Sequence, residues 1–459
     1  MDDEVSVDAL PVSGEVPGWL TGSLLRNGPA KFDIGATTVN HWFDGLSMLH
    51  RFGFDQGCVS YRNRFLRSQT FCESKERGAL SRGGFATDPC RTLFQRIATV
   101  FSPHYTDNGN VSIDLFGGVP VALTETTLPV RFDAETLDTL GDHAYVPRVG
   151  GQISIAHPHH DAARGCRYSY VVEFGRKCRY RLFSIADADG TETVVAEMDV
   201  DRPSYMHSFA MTEHYLVLVE FPLVVDPLRM LLSGQPFIKN YRWQPERGLR
   251  FHVFAKDGGR LVRSQTAPEA VFAFHHVNAY EADGDIVIDF VAYPDAQILN
   301  ELELAPLRAG HSIDAIGCMR RYRLPLARSG EISVAQITTS MIELPRIDYD
   351  ACAGRPYRYA WGVGQRTKGN FLDCIVGLDL VSGQALTWWR EHCYPGEPVF
   401  VPQPGRTGEG QGVLLSVVLD ARQDLSFLLV LDALSLEEIA RAECPHRIPF
   451  GLHGCYLAQ

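Results

Sequence analysis

Short apolar runs separated by turn residues recur along most of the 459-residue chain. Glycine-containing pairs and triplets such as Asp189-Gly190, Asp257-Gly258-Gly259 and Ser382-Gly383 lie between such runs and suit hairpins. The clearest runs alternate in polarity or are rich in β-branched residues, and they cover 59–65, 215–220, 285–291 and 413–418. The pattern is typical of an all-β protein with many short antiparallel strands.

Helical periodicity is confined to a few places, notably 91–100 and 296–309. No Ser/Pro-rich linker divides the chain, so we expect one large β domain over residues 1–459 with helical and loop insertions. No fixed-period repeat marks a familiar propeller family, so repetition alone does not identify the architecture.

Charge and cysteine usage exclude several classes of protein. The formal net charge of −12 and the pI of about 5.7 argue against a general nucleic-acid binder, and no protein partner is indicated. Eleven cysteines, an odd number without a Cys-x-x-Cys pair, favour a reducing compartment. The acidic start of the chain, 1–4, lacks the layout of a signal peptide, so we expect a cytoplasmic protein without a transmembrane helix.

Four histidines lie in strand-like or turn-like segments and are candidates for one metal site: His157, His207, His275 and His453. Neutral imidazole is the commonest metal ligand, and iron(II), copper and zinc all accept it. The four positions are separated by 50, 68 and 178 residues, so only a fold that brings distant segments to one axis could unite them. A surface or core role is the commoner alternative for any single histidine.

Three glutamates stand in apolar or turn-rich surroundings: Glu125, Glu343 and Glu397. A buried carboxylate is costly without a partner, and a metal-ligating histidine usually donates its second ring N–H to a carboxylate or carbonyl. We therefore expect these glutamates to orient ligand histidines.

The segment 221–243 mixes apolar and aromatic residues with Arg229, Lys239 and Arg242. This composition fits a patch lying in a membrane interface. A buried insertion has the same composition and remains an equal alternative.

Several motifs resemble the carotenoid cleavage oxygenase family along nearly the whole chain. They follow the family order: Gly22–Pro29, His41–Gly45, Ala156–His159, Ser204–Phe209, Phe274–Glu281 and His453–Gly454. The resemblance implies a seven-bladed β-propeller with a helical cap, whose axis carries a non-haem Fe(II) held by four histidines. A propeller axis would also explain the wide spacing.

The resemblance also implies roles for individual residues. It favours His157 over His159 and His275 over His276 as iron ligands, with His207 and His453 completing the set. It gives Glu125, Glu343 and Glu397 to three of these ligands and leaves the first histidine, His157, without a carboxylate.

The implied reaction is oxidative cleavage of one C=C bond of a carotenoid or apocarotenoid, with O2 as co-substrate and two carbonyl products. The segments 41–50 and 87–90 look closer to the animal β-carotene oxygenases and the retinal pigment epithelium isomerohydrolase than to other branches. Retinyl-ester isomerohydrolysis, stilbene cleavage and a non-catalytic lipid-binding propeller stay open as alternatives.

Substrate handling follows from the same resemblance. A rigid apolar polyene needs a tunnel of aromatic and aliphatic side chains, for which Val111, Tyr205, Phe274 and Tyr293 are candidates, with propeller packing as the alternative role. Since carotenoids dissolve in membranes, 221–243 is the candidate site of peripheral membrane contact and substrate entry.

Overall fold

The computed structural model describes residues 1–89, 105–143, 149–327 and 330–458. These residues form seven antiparallel sheets of four to six strands, arranged as the blades of a β-propeller, together with two small two-stranded ribbons. The expected all-β, seven-bladed propeller is therefore confirmed. We number the blades 1 to 7, beginning with the sheet that contains Gly22–Lys31.

Blade 1 contains strands from both the N-terminal and the C-terminal part of the chain, and blades 2 to 4 follow it in chain order. Blade 1 comprises Ser6–Val7, Gly22–Lys31, Leu46–Asp55, Cys58–Phe65 and Gly454–Ala458. Blade 2 comprises Ser112–Phe116, Val119–Leu123, Val130–Phe132 and Thr139–Asp142. Blade 3 comprises Ile153–Ser154, His159–Asp161, Cys166–Glu173, Cys178–Ala186 and Glu192–Val200. Blade 4 comprises Ala210–Met211, Tyr215–Glu220, Leu249–Ala255 and Leu261–Ala267.

Blades 5 to 7 follow in chain order, and blade 7 also takes one strand from the N-terminal part. Blade 5 comprises His276–Ala282, Asp285–Ala292, Cys318–Pro325 and Ser333–Met341. Blade 6 comprises Glu343–Arg346, Tyr359–Gly364, Cys374–Asp379 and Gln384–Trp389. Blade 7 comprises Val12–Gly14, Cys393–Pro395, Val399–Pro402, Gly412–Asp420, Leu425–Asp432 and Glu438–Glu443. The two ribbons pair Asp33–Ile34 with Thr37–Thr38 and Leu223–Val225 with Tyr241–Trp243.

The sequence pattern explains why these segments are strands. In Cys58–Phe65 every second side chain is buried, as expected for a strand with one face on the core. The predicted turn residues fall in hairpin connections, and Gly190, Gly258 and Gly383 there adopt φ values of 75°, 75° and 73°. Glycine is favoured at such positions because L-residues with a Cβ rarely adopt positive φ.

One strand of each blade faces a common axis. Ala210–Met211 of blade 4 contacts His276–Ala282 of blade 5, and Gly454–Ala458 of blade 1 contacts both Val399–Pro402 of blade 7 and Ser112–Phe116 of blade 2. Loops at the ends of these inner strands therefore meet near the axis, although they are far apart in the sequence.

Two sheets join the ends of the chain. In blade 1, Gly22–Lys31 pairs with Gly454–Ala458, with Arg26 opposite Gly454. In blade 7, Val12–Gly14 pairs with Glu438–Glu443. The single-domain organisation stays a prediction, and these shared sheets are consistent with it.

Helices are short and few within the described residues. They are Gln69–Arg77, Pro227–Ser233, Ile298–Glu301, Leu304–Arg308 and Tyr349–Cys352, with 3-10 turns at Trp42–Asp44, Phe237–Asn240 and Pro245–Arg247. The helical pattern at 296–309 corresponds to two of them, whereas the one at 91–100 lies outside the described residues. None of the helices described here is long and apolar enough to cross a bilayer.

Candidate metal centre

Each of the four candidate histidines lies beside the inner strand of a different blade. His157 lies between the two short inner strands of blade 3, and His207 lies three residues before Ala210–Met211 of blade 4. His275 and His453 directly precede the inner strands of blades 5 and 1. The fold thus provides the meeting point that the spacing in the sequence required.

The imidazoles converge on one point. The Nε2 atoms of His157 and His207 lie 2.9 Å apart, and those of His275 and His453 lie 3.1 Å apart. One ring nitrogen from each of the four histidines lies within 4.8 Å of the others. Imidazole nitrogens bound at right angles about 2.1 Å from one ion would be about 3.0 Å apart, so the arrangement has the dimensions of a metal site.

Three of the four rings are oriented by carboxylates. Nδ1 of His207 lies 2.6 Å from Glu125 Oε1. Nδ1 of His275 lies 2.5 Å from Glu343 Oε2, and Nδ1 of His453 lies 2.7 Å from Glu397 Oε1. Within the described residues no carboxylate hydrogen-bonds to the ring of His157. That ring instead lies edge-on to the other three, with centroid separations of 4.7, 5.3 and 4.4 Å.

These hydrogen bonds fix the tautomers of the three histidine rings, and the tautomers show whether the site suits a cation. A carboxylate acceptor requires the proton on Nδ1, so Nε2 of His207, His275 and His453 carries a lone pair. The Nε2 lone pairs of His275 and His453 then face each other across 3.1 Å in a buried setting. Two such acceptors are unfavourable without a donor or cation between them, so the donor set fits a divalent metal ion.

The glutamates have partners of their own. The Tyr205 hydroxyl donates to Glu125 Oε1, and the Tyr293 hydroxyl donates to Glu343 Oε1, each at 2.9 Å. Glu397 instead pairs with Arg346, whose Nη2 lies 2.9 Å from Oε2. The sequence did not indicate Arg346, because nothing local connects it to a glutamate 51 residues later.

The charges of the site follow from burial and pairing. Burial alone would raise the pKa of the Glu397 carboxyl, but Arg346 and His453 together hold it below its usual range. Burial likewise opposes ionisation of Glu343, and His275 outweighs it, so the pKa of Glu343 is lowered. Burial also lowers the pKa of His453 to about 4, despite the opposing effect of Glu397. The ring is therefore neutral and able to act as a ligand at neutral pH.

The neighbouring histidines have other partners. His159 lies 2.8 Å through Nε2 from the Phe209 carbonyl and 2.9 Å through Nδ1 from the Tyr349 hydroxyl. Nδ1 of His276 lies 2.8 Å from the Ser208 hydroxyl, which donates to the Phe274 carbonyl. Ser208 thereby ties the loops that carry His207 and His275 to each other.

A cavity of about 1100 Å³ leads to the histidine cluster. His207, His275 and His453 line its inner end, together with Glu125 and Glu343. Binding pockets for small molecules are usually roughly 300–1,000 Å³, so this one has room for a long ligand. Its walls near the cluster are largely aromatic and aliphatic: Trp42, Phe43, Phe85, Tyr205, Phe274, Tyr293, Ile298, Leu302, Ile313, Leu344, Phe371 and Leu452.

All four tunnel candidates line this cavity: Val111, Tyr205, Phe274 and Tyr293. The ring of Phe274 lies against His207, with centroids 5.6 Å apart, and against Phe43 at 5.9 Å. The backbone carbonyl of Val111 accepts a hydrogen bond from the N–H of His453 at 3.2 Å. Phe274 and Val111 therefore lie directly beside candidate ligands.

The motif His41–Gly45 builds one wall. The buried His41 ring lies 2.9 Å from the Leu299 carbonyl, which fixes the loop next to the cavity. Asp44 accepts hydrogen bonds from the N–H groups of Phe85 and Ala86 and from the Thr87 hydroxyl, at 2.5, 3.0 and 2.7 Å. Trp42 and Phe43, between these anchors, line the cavity.

The segment 221–243 divides into buried and exposed parts. Its two strands, Leu223–Val225 and Tyr241–Trp243, pair with each other, and most of their side chains are buried. The helix Pro227–Ser233 between them has no buried residue and lines the outer part of the cavity. Three of its leucines, which are 70%, 51% and 83% exposed, form a patch that we call the mouth patch: Leu228, Leu231 and Leu232.

Comparisons with known proteins cover nearly the whole chain. The sequence model described as retinal pigment epithelial membrane protein matches residues 1–458. A carotenoid isomerooxygenase of Galleria mellonella is 35% identical, over 98% of this chain and 93% of its own length. The mitochondrial carotenoid-cleaving dioxygenase of Mustela putorius furo is 32% identical, over 100% of this chain and 95% of its own.

Solved structures show the same fold. The crystal structure of cobalt-substituted Synechocystis apocarotenoid oxygenase has a TM-score of 0.90 and 26% identity, and the match covers 100% of this chain and 97% of that one. The fold, the extent of the match and the ordered motifs agree with one another. The chain belongs to the retinal pigment epithelial membrane protein family, that is, the carotenoid cleavage oxygenases that its motifs resemble.

Proposed function

We propose that this protein is a non-haem iron dioxygenase that cleaves one C=C bond of a carotenoid or apocarotenoid with O2, giving aldehyde or ketone products. Membership of the family over the full chain supports the enzyme class. The observation that carries the proposal is the cluster of four histidines beside a large, mainly apolar cavity.

His157, His207, His275 and His453 would hold Fe(II) through Nε2. Four imidazoles and no thiolate suit iron(II) and leave coordination positions free in an octahedral arrangement. Bound there, the iron would supply the redox chemistry with O2, which side chains lack. Because an imidazole ligand brings no negative charge, the negative charge near the ion would come from Glu125, Glu343 and Glu397.

The residues of the chain bind and orient the polyene and exclude water. Phe274 lies against His207 and would hold one face of the polyene beside the metal. Tyr205 and Tyr293 present their rings to the cavity while their hydroxyls are engaged by Glu125 and Glu343. Their polar atoms are thereby satisfied, so this part of the cavity presents an apolar surface to a hydrocarbon.

Substrate would enter from a membrane through the mouth patch. Basic residues accompany the three leucines at this end: Arg176, Lys177 and Arg202 line the cavity, as does Asp201, and the Arg229 side chain is 86% exposed. Leucines and basic residues on one exposed surface fit the interface of an anionic bilayer. Such peripheral contact would be compatible with a cytoplasmic protein.

Liposome binding tests this membrane contact. Leu231→Asp and Leu232→Asp should each weaken binding to anionic vesicles about tenfold, because one inserted leucine contributes about 1.5 kcal/mol. Val381→Asp is a matched control, since Val381 is 76% exposed but does not line the cavity. Equal binding by all variants and the wild type would refute the contact.

The catalytic proposal is tested by anaerobic reconstitution with Fe(II), followed by β-carotene, apocarotenals and ¹⁸O2. We expect labelled carbonyl products by mass spectrometry and none from His207→Ala, which removes a ligand. Retinyl esters and stilbenes serve as alternative substrates. Hydrolysis of the ester without label, or no cleavage of any polyene, would overturn the proposal.

A further inference from the structure

Arg346 joins three different blades next to the candidate metal centre. It ends the inner strand of blade 6, and its Nη2 donates to Oε2 of Glu397 of blade 7 at 2.9 Å. Its Nε lies 2.9 Å from Oε1 of the same carboxylate, an ion-pair contact without hydrogen-bond geometry. Nη2 also donates to the carbonyl of Gly454, which begins the inner strand of blade 1. A single side chain thus contacts the carboxylate that orients His453 and the backbone that carries it.

The surroundings of His453 are held from several directions. Glu397 accepts from the His453 ring at 2.7 Å and from the Gly454 N–H at 2.8 Å. On the other side, Nη2 of Arg26 donates to the Leu452 carbonyl at 3.2 Å. Both carbonyls that flank His453 therefore accept from arginines, while the stretch 445–453 contains no strand of its own.

The glutamates that orient the other two histidines, His207 and His275, have a tyrosine in place of an arginine. Glu125 and Glu343 receive a neutral tyrosine hydroxyl as their further side-chain partner. Within the described residues, Glu397 alone among the three glutamates pairs with a cationic side chain. Charge-assisted hydrogen bonds are stronger than neutral ones, and Nη2 of Arg346 donates to both Glu397 and the Gly454 carbonyl, so Arg346 imposes the tighter constraint.

We propose that Arg346 is a positioning residue for the metal centre. Its guanidinium fixes Glu397 and Gly454 relative to each other, and this sets the direction in which His453 presents Nε2 to the other three histidines. The inference rests on the proposed four-histidine metal site. It adds that metal binding requires the planar guanidinium of Arg346, the fork of N–H donors that reaches both Glu397 and Gly454, and that a positive charge at this position is not sufficient.

If Arg346 acted on the metal only through its positive charge, it would weaken metal binding instead of supporting it. Three carboxylates and the guanidiniums of Arg346 and Arg26 lie around the site, and a positive charge near a cation repels it. Replacing Arg346 by a neutral residue would then tighten metal binding. Loss of positioning would weaken it, so the sign of the change separates the two roles.

The test is Co(II) binding to the metal-free protein, measured by competition with a chelator and by the visible absorption of the bound ion. Arg346→Lys keeps the charge but loses the fork, and we expect about tenfold weaker binding. Arg346→Met should lie within the 10–100-fold range typical of partners of metal-ligating residues. Both should alter the Co(II) absorption spectrum, which reports the ligand geometry.

The matched control is Arg406→Lys. Arg406 also pairs with a buried carboxylate, that of Asp348, through Nη1 and Nη2, and the structure gives it no contact with Glu397. Its replacement should leave Co(II) affinity and spectrum unchanged. Circular dichroism establishes that each variant is folded, and Arg346→Lys carries the test if Arg346→Met does not fold.

The outcomes are distinct. Tighter Co(II) binding by Arg346→Met, or a Lys variant equal to the wild type in affinity and spectrum, would overturn the positioning role. Absence of Co(II) binding by the wild type would instead refute the metal centre, and with it the proposed function.

Discussion

Replacing Glu343 by glutamine isolates the role of a carboxylate in selecting the histidine tautomer. Glu343 accepts from Nδ1 of His275 at 2.5 Å, from the Tyr293 hydroxyl at 2.9 Å and from the Leu344 N–H at 2.7 Å. Because Oε2 accepts from both Nδ1 and the Leu344 N–H, a glutamine keeps its carbonyl oxygen there. The bond to Nδ1 is then no longer charge-assisted, and the tautomer with the ring proton on Nε2 becomes accessible. In that tautomer the nitrogen that faces His453 carries a proton where a metal ligand needs a lone pair.

The magnitude follows from the hydrogen bond that is lost. A hydrogen bond to a charged group contributes about 1.5–3 kcal/mol. A loss of 10–100-fold in metal affinity corresponds to about 1.4–2.8 kcal/mol, in the same range. In the metal-free variant, Nε2–H of His275 can donate to Nε2 of His453 across the 3.1 Å that separates them. We therefore expect weaker metal binding without a loss of apoprotein stability.

The assay combines Co(II) titration of the apoprotein with its urea denaturation. Glu220→Gln is the matched control, because Glu220 is also buried and pairs with a tyrosine and a histidine, Tyr180 and His252, away from the metal centre. Unchanged Co(II) affinity in Glu343→Gln would refute the tautomer argument. So would a loss of apoprotein stability as large as the loss in metal binding.

Three further predictions concern stability, the cavity and a tyrosine. Burial lowers the pKa of His41 and His159 to about 4 and of His50 to about 3, whereas these rings take up protons below about pH 6.5 when unfolded. The free energy of unfolding should therefore fall from pH 6.5 towards pH 4, by up to about 1.4 kcal/mol per pH unit for each ring, and urea denaturation of His50→Gln should show a shallower dependence. Phe274→Ala should cost about 3–5 kcal/mol of stability and change the ratio of cleavage products, and an unchanged ratio by chromatography would contradict its place beside the substrate. Tyr205→Phe leaves the carboxyl group of Glu125 in contact with His207, so Co(II) affinity should fall only a few-fold, less than in Glu343→Gln.

The strands were predictable because their signals are local. The run 215–220 has the apolar, partly β-branched composition of a strand, and it coincides with the strand Tyr215–Glu220. The helix Pro227–Ser233 also had a local signal, since Asp226 caps it and Pro227 occupies its first turn. The composition of 221–243 as a whole obscured that signal, and the exposed surface proved smaller than the segment.

Contacts between distant residues could not be read from local patterns. The choice of His157 and His275 over their neighbours came from resemblance, since an adjacent histidine has the same chemistry. Arg346 reaches Glu397 only because blades 6 and 7 are neighbours. The hydrogen bonds from Tyr205 to Glu125 and from Tyr293 to Glu343 likewise could not be predicted, because they depend on distances that exist only in the assembled propeller.

The sheet shared by the two ends of the chain imposes an order on assembly. During synthesis Gly22–Lys31 is made long before its partner Gly454–Ala458. Until then one edge of that strand is unpaired, a state in which strands readily associate with other chains. His453 directly precedes Gly454–Ala458, so only a ring that includes this strand presents all four imidazoles. A bound metal ion would therefore favour the closed ring over partly assembled forms by mass action.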